Sequence, residues 1–195
     1  MLHKWESLSG RDALNFREDG TLGDHIPNVP GIYCWKINPY RKILLPSDYE
    51  GILEQVCHLM KLPQFETGFT RINHSLVSRG FAHSGEPIAG DKYVKLREWL
   101  KDLENAQWMI AFLKDLNGFM PNLYVGKSEQ LANRVRQHLQ GRSKFGQKIN
   151  DSAELSWQDL LVCWRVIPDA DSQLLEAIEL VTTVVSLSGF VEKAG

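Results

Sequence analysis

The sequence predicts an α+β fold, on three observations. Three short runs, at residues 31–37, 122–125 and 160–167, are rich in β-branched and aromatic side chains and are bounded by Gly, Pro or Asn. Between and after them lie stretches whose apolar residues recur at helical spacing. The composition, 43% hydrophobic and 24% charged, is that of a globular chain rather than a disordered one. A length of 195 residues suits one domain with an insertion.

In chain order, the opening segment runs to Pro27-Asn28-Val29-Pro30 and reads as an N-terminal extension over residues 1–30. Both prolines bias the residue before them toward extended geometry. Gly31-Ile32-Tyr33-Cys34-Trp35-Lys36-Ile37 follows as a strand and is stopped by Asn38-Pro39. Residues 47–61 and 91–116 read as helices, the second with Tyr93, Leu96, Leu100, Leu103 and Trp108. Residues 63–90, rich in Gly, Ser and His, show no period. Asn122-Leu123-Tyr124-Val125 is a short strand between Pro121 and Gly126. Leu131, Val135 and Leu139 then recur every fourth residue until Gly141 closes the helix. The strand at 160–167 ends at Pro168. Asp169 and Asp171 offer caps to a last helix whose apolar face is Leu174, Leu175, Ile178, Val181 and Val185.

Several classes are excluded. No run approaches the ~18 apolar residues of a membrane span, and Met1-Leu2-His3-Lys4-Trp5-Glu6 lacks a signal-peptide core. Cys34, Cys57 and Cys163 are too widely spaced for a disulfide framework or a zinc ribbon, and those on strands read as buried small hydrophobes. A cytoplasmic protein with no membrane partner is the expectation. The net charge is only −2, but it is unevenly spread. Residues 122–150 carry Lys127, Arg134, Arg136, Arg142, Lys144 and Lys148 against Glu129 alone. Such a stretch is either an electrostatic footprint for an anion or a solvated helix face.

The segment with the most chemistry is Tyr124-Val125-Gly126-Lys127-Ser128, followed by Arg134 and His138. Four residues apart, Arg134 and His138 share a helix face beside the Leu131/Val135/Leu139 stripe. Lys127 is expected where that helix begins, among free backbone N–H groups that favour an anion. Lys, Arg and His converging near two tyrosines suit a phosphate. The competing reading is a basic surface helix with the tyrosines in the core.

Gly31-Ile32-Tyr33 and Tyr124-Val125-Gly126 resemble the two halves of the signature of the GIY-YIG nuclease superfamily. The continuation is also similar: Lys127-Ser128, Leu131, Arg134 and His138 follow the second tripeptide in the family's order. Downstream, the strand at 160–167 and then Leu174-Leu175-Glu176-Ala177 resemble the elements presenting the family's metal-binding glutamate. The likeness covers residues 29–37 and 122–187. Two departures stand out. The tripeptides are usually joined by a short connection, whereas here residues 34–123 intervene, which requires an inserted subdomain. No asparagine follows Glu176, where family members often carry one that completes the site.

The resemblance implies a small antiparallel three-stranded sheet flanked by helices over residues 31–195, interrupted by a mainly helical insertion at about 39–120 between the first two strands. It implies a metal-dependent endonuclease acting on DNA in bacterial or phage restriction or antiviral defence. Glu176 would hold one Mg²⁺ or Mn²⁺ that keeps several waters. Arg134 would clamp the scissile phosphate. Tyr33 would take a proton from the attacking water, its phenol made more acidic by cations such as Lys127. Tyr124 would position water or phosphate, and His138 would bind phosphate or shuttle a proton. Lys127, Arg136, Arg142, Lys144 and Lys148 would bind the nucleic acid. The insertion, with Arg71, Arg79, Lys92, Lys95 and Arg97, either grips nucleic acid or forms the interface to a second copy or a protein partner. The alternative function is a nucleic-acid-binding or partner-controlled module of the same fold with weakened catalysis.

Overall fold

The computed structural model describes residues 4–186, apart from 42, 62–63, 73–74, 84–87, 89, 119, 121, 154 and 169. For residues 61, 64–72, 75–83 and 183–186 only the backbone course is described. The elements run β1 (Glu6–Ser9), α1 (Gly10–Glu18), α2 (Leu22–His25), β2 (Gly31–Ile37), α3 (Tyr49–Lys61), β3 (Gln64–Ile72), β4 (Ser75–His83), α4 (Gly90–Leu100), α5 (Leu103–Asp115), β5 (Asn122–Ser128), α6 (Leu131–Leu139), α7 (Lys144–Asp151), β6 (Leu160–Val166) and α8 (Ser172–Ser186). The α+β class is as the sequence predicts. No helix among the described residues is long and apolar enough to cross a membrane.

The main sheet has four strands rather than the expected three, in the order β1-β6-β2-β5. All its pairings are antiparallel, with β2 between β5 and β6. The fourth strand comes from the segment read as an extension, with Glu6 to Ser9 pairing against Trp164 to Leu161. Glu-Ser-Leu-Ser has a single aliphatic residue and gives no strand signal of its own. It is held because β6 is buried and its outer backbone groups need partners. Helix α1 follows directly, capped by Ser9, whose hydroxyl accepts from the Asp12 amide.

Side chains alternate across the sheet and fill two layers. On one face Tyr33, Trp35, Ile37, Tyr124, Leu160, Val162 and Trp164 pack with Ala13, Leu22, Leu131, Val135, Leu139 and Ile149 from the helices. On the other, Ile32, Cys34, Val125, Leu161 and Cys163 meet Leu175 of α8. Of the apolar face expected on α8, Leu175 is buried and Ile178 packs against it, but Leu174 and Val181 are exposed. The stripe on α6 is as expected: Leu131, Val135 and Leu139 are buried, each stabilising by roughly 1.5–3 kcal/mol.

The insertion forms its own apolar cluster of Leu44, Ile52, Leu53, Leu100, Ala106, Ile110 and Leu113. It is mainly helical, and it also carries the antiparallel hairpin β3–β4 in the stretch where the sequence shows no period. The helical run at 91–116 is two helices, because Asp102 accepts from the amides of Glu104 and Asn105 and starts a new one. Arg71 and Arg79 fall in the hairpin, and their side chains lie outside the described residues, as do Asp169 and the side chain of Val185.

Candidate active site

Strand pairing places the two tripeptides face to face. Tyr33 lies opposite Gly126, Ile32 opposite Lys127, and Gly31 opposite Ser128. The glycines have a steric reason. A Cβ at Gly126 would fall 2.6 Å from the Tyr33 hydroxyl and 2.8 Å from the Tyr124 ring, so only glycine lets both tyrosines share this spot. A Cβ at Gly31 would fall 2.4 Å from the Arg165 carbonyl and 2.7 Å from Leu131, which closes the start of α6 onto the sheet.

Helix α6 then delivers Arg134 and His138 to the tyrosines, one turn apart as the spacing predicts. The Tyr33 hydroxyl lies 2.7 Å from His138 Nε2. Arg134 Nε donates to the same hydroxyl at 3.2 Å, and its Nη1 donates to Gln137 Oε1 at 3.0 Å. Tyr124 packs against the pair, its ring centroid 5.8 Å from that of Tyr33 and 5.0 Å from that of His138. Tyr33 and His138 have no exposure, and Tyr124 has 5%.

Burial sets the protonation states. His138 is pushed down to about 3 by desolvation and then by the charge of Arg134, so its imidazole is neutral at pH 7. The network is satisfied when Tyr33 donates to Nε2 and Nδ1–H donates to Ser143 Oγ, 2.5 Å away, and this is the tautomer we assign. Ser143 also caps α7 by accepting from the Gly146 amide at 2.9 Å. Tyr33 corrects an expectation: its phenol is not acidified but raised well above the usual tyrosine value. Burial dominates, the neighbouring Tyr124 adds to it, and Arg134 offsets only part.

Lys127 is a second correction. It does not sit at a helix start, because β5 continues through Gly126-Lys127-Ser128 while these residues pair with β2, and α6 begins only at Leu131. Strand alternation turns its side chain to the face covered by α8. There its Nζ is 3.5 Å from Glu176 Oε2. The structure thus forms two groups. Tyr33, Arg134 and His138 are one hydrogen-bonded set with Tyr124 packed against it, and Lys127 with Glu176 is an ion pair on the other face of the sheet. Each group has one member on β5, an edge strand of the sheet: Tyr124 in the first and Lys127 in the second.

Among the described residues no three His, Cys, Asp or Glu side chains cluster as a metal cage. Glu176, with a side chain 68% exposed, offers one hard oxygen donor. That fits a Mg²⁺ ion held by a single carboxylate, with waters and substrate oxygens as the other ligands. Of the basic residues expected to bind nucleic acid, Arg142, Lys144 and Lys148 are exposed on or beside α7, while Arg136 is half-buried and donates to Asn133 at 2.8 Å.

Sequence reading missed Ser143, the partner of His138. Its signal was there: a serine three residues before Gly146, opening the amphipathic segment that becomes α7. His58 of α3 lies 2.7 Å from the buried Asp159, which also pairs with Arg41 at 3.0 Å. These contacts tie the insertion to the core beside a cleft of about 330 Å³ lined by Arg11, Arg41 and His58. His74 falls outside the described residues, and so does the side chain of His83. Compared with known protein families, with curated proteins and with solved structures, the chain gives no match.

Proposed function

We propose that this protein is a metal-dependent endonuclease of the GIY-YIG type, hydrolysing phosphodiester bonds in DNA in a restriction or antiviral setting. The observation that carries this reading is the Arg134–Tyr33–His138 chain, which joins β2 to α6 where the two tripeptides, far apart in sequence, meet by strand register. A buried core tyrosine needs at most one polar partner. Here one hydroxyl is held by a cation on one side and a neutral imidazole on the other, which is the arrangement of a proton-transfer group.

The chemistry follows from the chain's own residues. Tyr33 keeps its proton at rest, since burial disfavours the phenolate. Its hydroxyl passes that proton to His138 Nε2 as it takes one from the attacking water, reached through Tyr124 and Arg134. Ser143 holds the imidazole in the tautomer whose Nε2 accepts. Arg134, half-buried and planar, supplies two N–H groups to a phosphate and offsets charge that develops on it. Lys127 and the exposed Arg142, Lys144 and Lys148 orient the polyanion. Glu176 is the residue that would hold the Mg²⁺ or Mn²⁺ ion, which when bound supplies Lewis-acid stabilisation of charge on the phosphate.

One observation favours the second reading, a binding module with weakened catalysis: the Tyr33 hydroxyl has no exposure, so substrate reaches it only through its neighbours. Nicking of supercoiled plasmid with Mg²⁺, against the same reaction in chelator, decides between them. Divalent-dependent relaxation supports the nuclease. Retained DNA binding with no nicking under Mg²⁺ or Mn²⁺ supports the module.

A further inference from the structure

We propose that Cys34 and Cys163 are an oxidation site, a dithiol that closes into a disulfide between strands β2 and β6. The two cysteines are distant in sequence, yet the antiparallel register sets them directly opposite each other. Direct partners point to the same face of a sheet, and their Cα atoms lie roughly 4.5 or 5.5 Å apart depending on the pair type. Both distances fall in the roughly 4.4–6.8 Å that a disulfide spans, so the pairing permits the bond. Both are unbridged, with 5% and 8% exposure, under Leu175 of α8.

The surroundings favour Cys163 as the attacking sulfur. Cys34 faces it directly across the strand pair, and the Lys36 ammonium, two residues along β2 on the same face, adds positive charge. Together they draw the Cys163 thiol below its ordinary value against the opposing effect of burial. With a peroxide as oxidant the chemistry balances. Cys163 sulfur attacks one peroxide oxygen, the O–O bond breaks, and the leaving oxygen departs as water with the thiol proton. Cys34 sulfur then displaces the hydroxyl of the resulting sulfenic acid, which leaves as a second water. Two thiols are oxidised and one peroxide is reduced. The bond would staple the strand carrying Tyr33 to its neighbour. It is independent of the nuclease reading.

The test uses the full chain treated with hydrogen peroxide, alkylated, and analysed by mass spectrometry. Cys57 on α3, more exposed than the pair, is the internal control for oxidant access. The expected result is loss of two hydrogens, a Cys34–Cys163 linked peptide after digestion, reversal by dithiothreitol, and a melting temperature raised by roughly 10 °C, because the closed loop exceeds a hundred residues. Cys34→Ala should show no link, and the parent's own linked peptide keeps the result independent of whether that variant folds. Full modification of Cys57 with Cys34 and Cys163 still reduced would overturn the proposal, as would oxidation of Cys163 to the sulfinic acid without a link.

Discussion

Replacing Tyr33 by Phe removes one oxygen and keeps the ring, so it separates proton transfer from packing. The stability cost follows from the two partners that the hydroxyl leaves behind. His138 has no exposure, so its Nε2 loses its hydrogen bond with no water to replace it, at about 1–3 kcal/mol. Arg134 is half-buried and can turn its Nε to solvent, adding little. For a chain of this length the melting temperature should fall by roughly 2–12 °C. The catalytic cost is larger. Loss of a proton-transfer group lowers the rate by roughly 10²–10⁴, or about 2.7–5.4 kcal/mol of barrier. Plasmid nicking with Mg²⁺, run well below the melting temperature of the variant and beside a thermal melt, reads both effects. A folded Tyr33→Phe protein that nicks at the parental rate would refute the reasoning, because a core tyrosine predicts that outcome.

Four further outcomes are expected. Arg134→Lys should not restore the cleavage lost in Arg134→Ala, since an ammonium lacks the planar fork whose Nε holds the Tyr33 hydroxyl while a terminal nitrogen reaches a phosphate; equal kcat values for Lys and Arg would contradict the planar clamp. Glu176→Ala should abolish divalent-dependent cleavage while DNA affinity in a gel-shift or anisotropy titration stays within about threefold, because this exposed carboxylate supports no core contact; full activity would remove the residue from the site. Lys144→Ala and Lys148→Ala should each lower the log–log salt slope of DNA binding by about one and weaken all sequences alike; an unchanged slope in both would move the footprint off α7. The last concerns pH: His138 binds its proton at about 3 when folded and near 6.5 when unfolded, so the unfolded chain takes up the proton first. Stability should therefore hold above pH ~6.5 and fall by up to about 1.4 kcal/mol per pH unit below it, toward pH 3. Urea melts of the parent and of His138→Asn should differ in that acid slope, and identical slopes would place the acid sensitivity elsewhere.

How much of this was legible in the residues depends on whether the interaction was local. Helix α6 was, because Leu131, Val135 and Leu139 at fourfold spacing with Gly141 beyond them are a one-dimensional pattern, and Arg134 and His138 inherit their shared face from it. Strands β2 and β6 were legible for the same reason, being long, β-rich and cleanly punctuated. The fourth strand was not: Glu6–Ser9 pairs because the buried edge of β6 needs partners, a demand written in another part of the chain. The extent of β5 was likewise decided by β2, which turned Lys127 from a helix-start cation into a strand residue paired with Glu176.

The sequence by itself determined which side chains could do chemistry and in what order they come. Only the tertiary structure decided their charge states, because desolvation depends on what covers a group and not on its neighbours in the chain. The cations expected beside Tyr33, Lys127 among them, read as an acidic phenol on paper, but complete burial raises it instead and leaves His138 neutral. The partnership of His138 with Ser143 and the meeting of Cys34 with Cys163 have the same origin: register and helix packing fix distances that no spacing along the chain encodes.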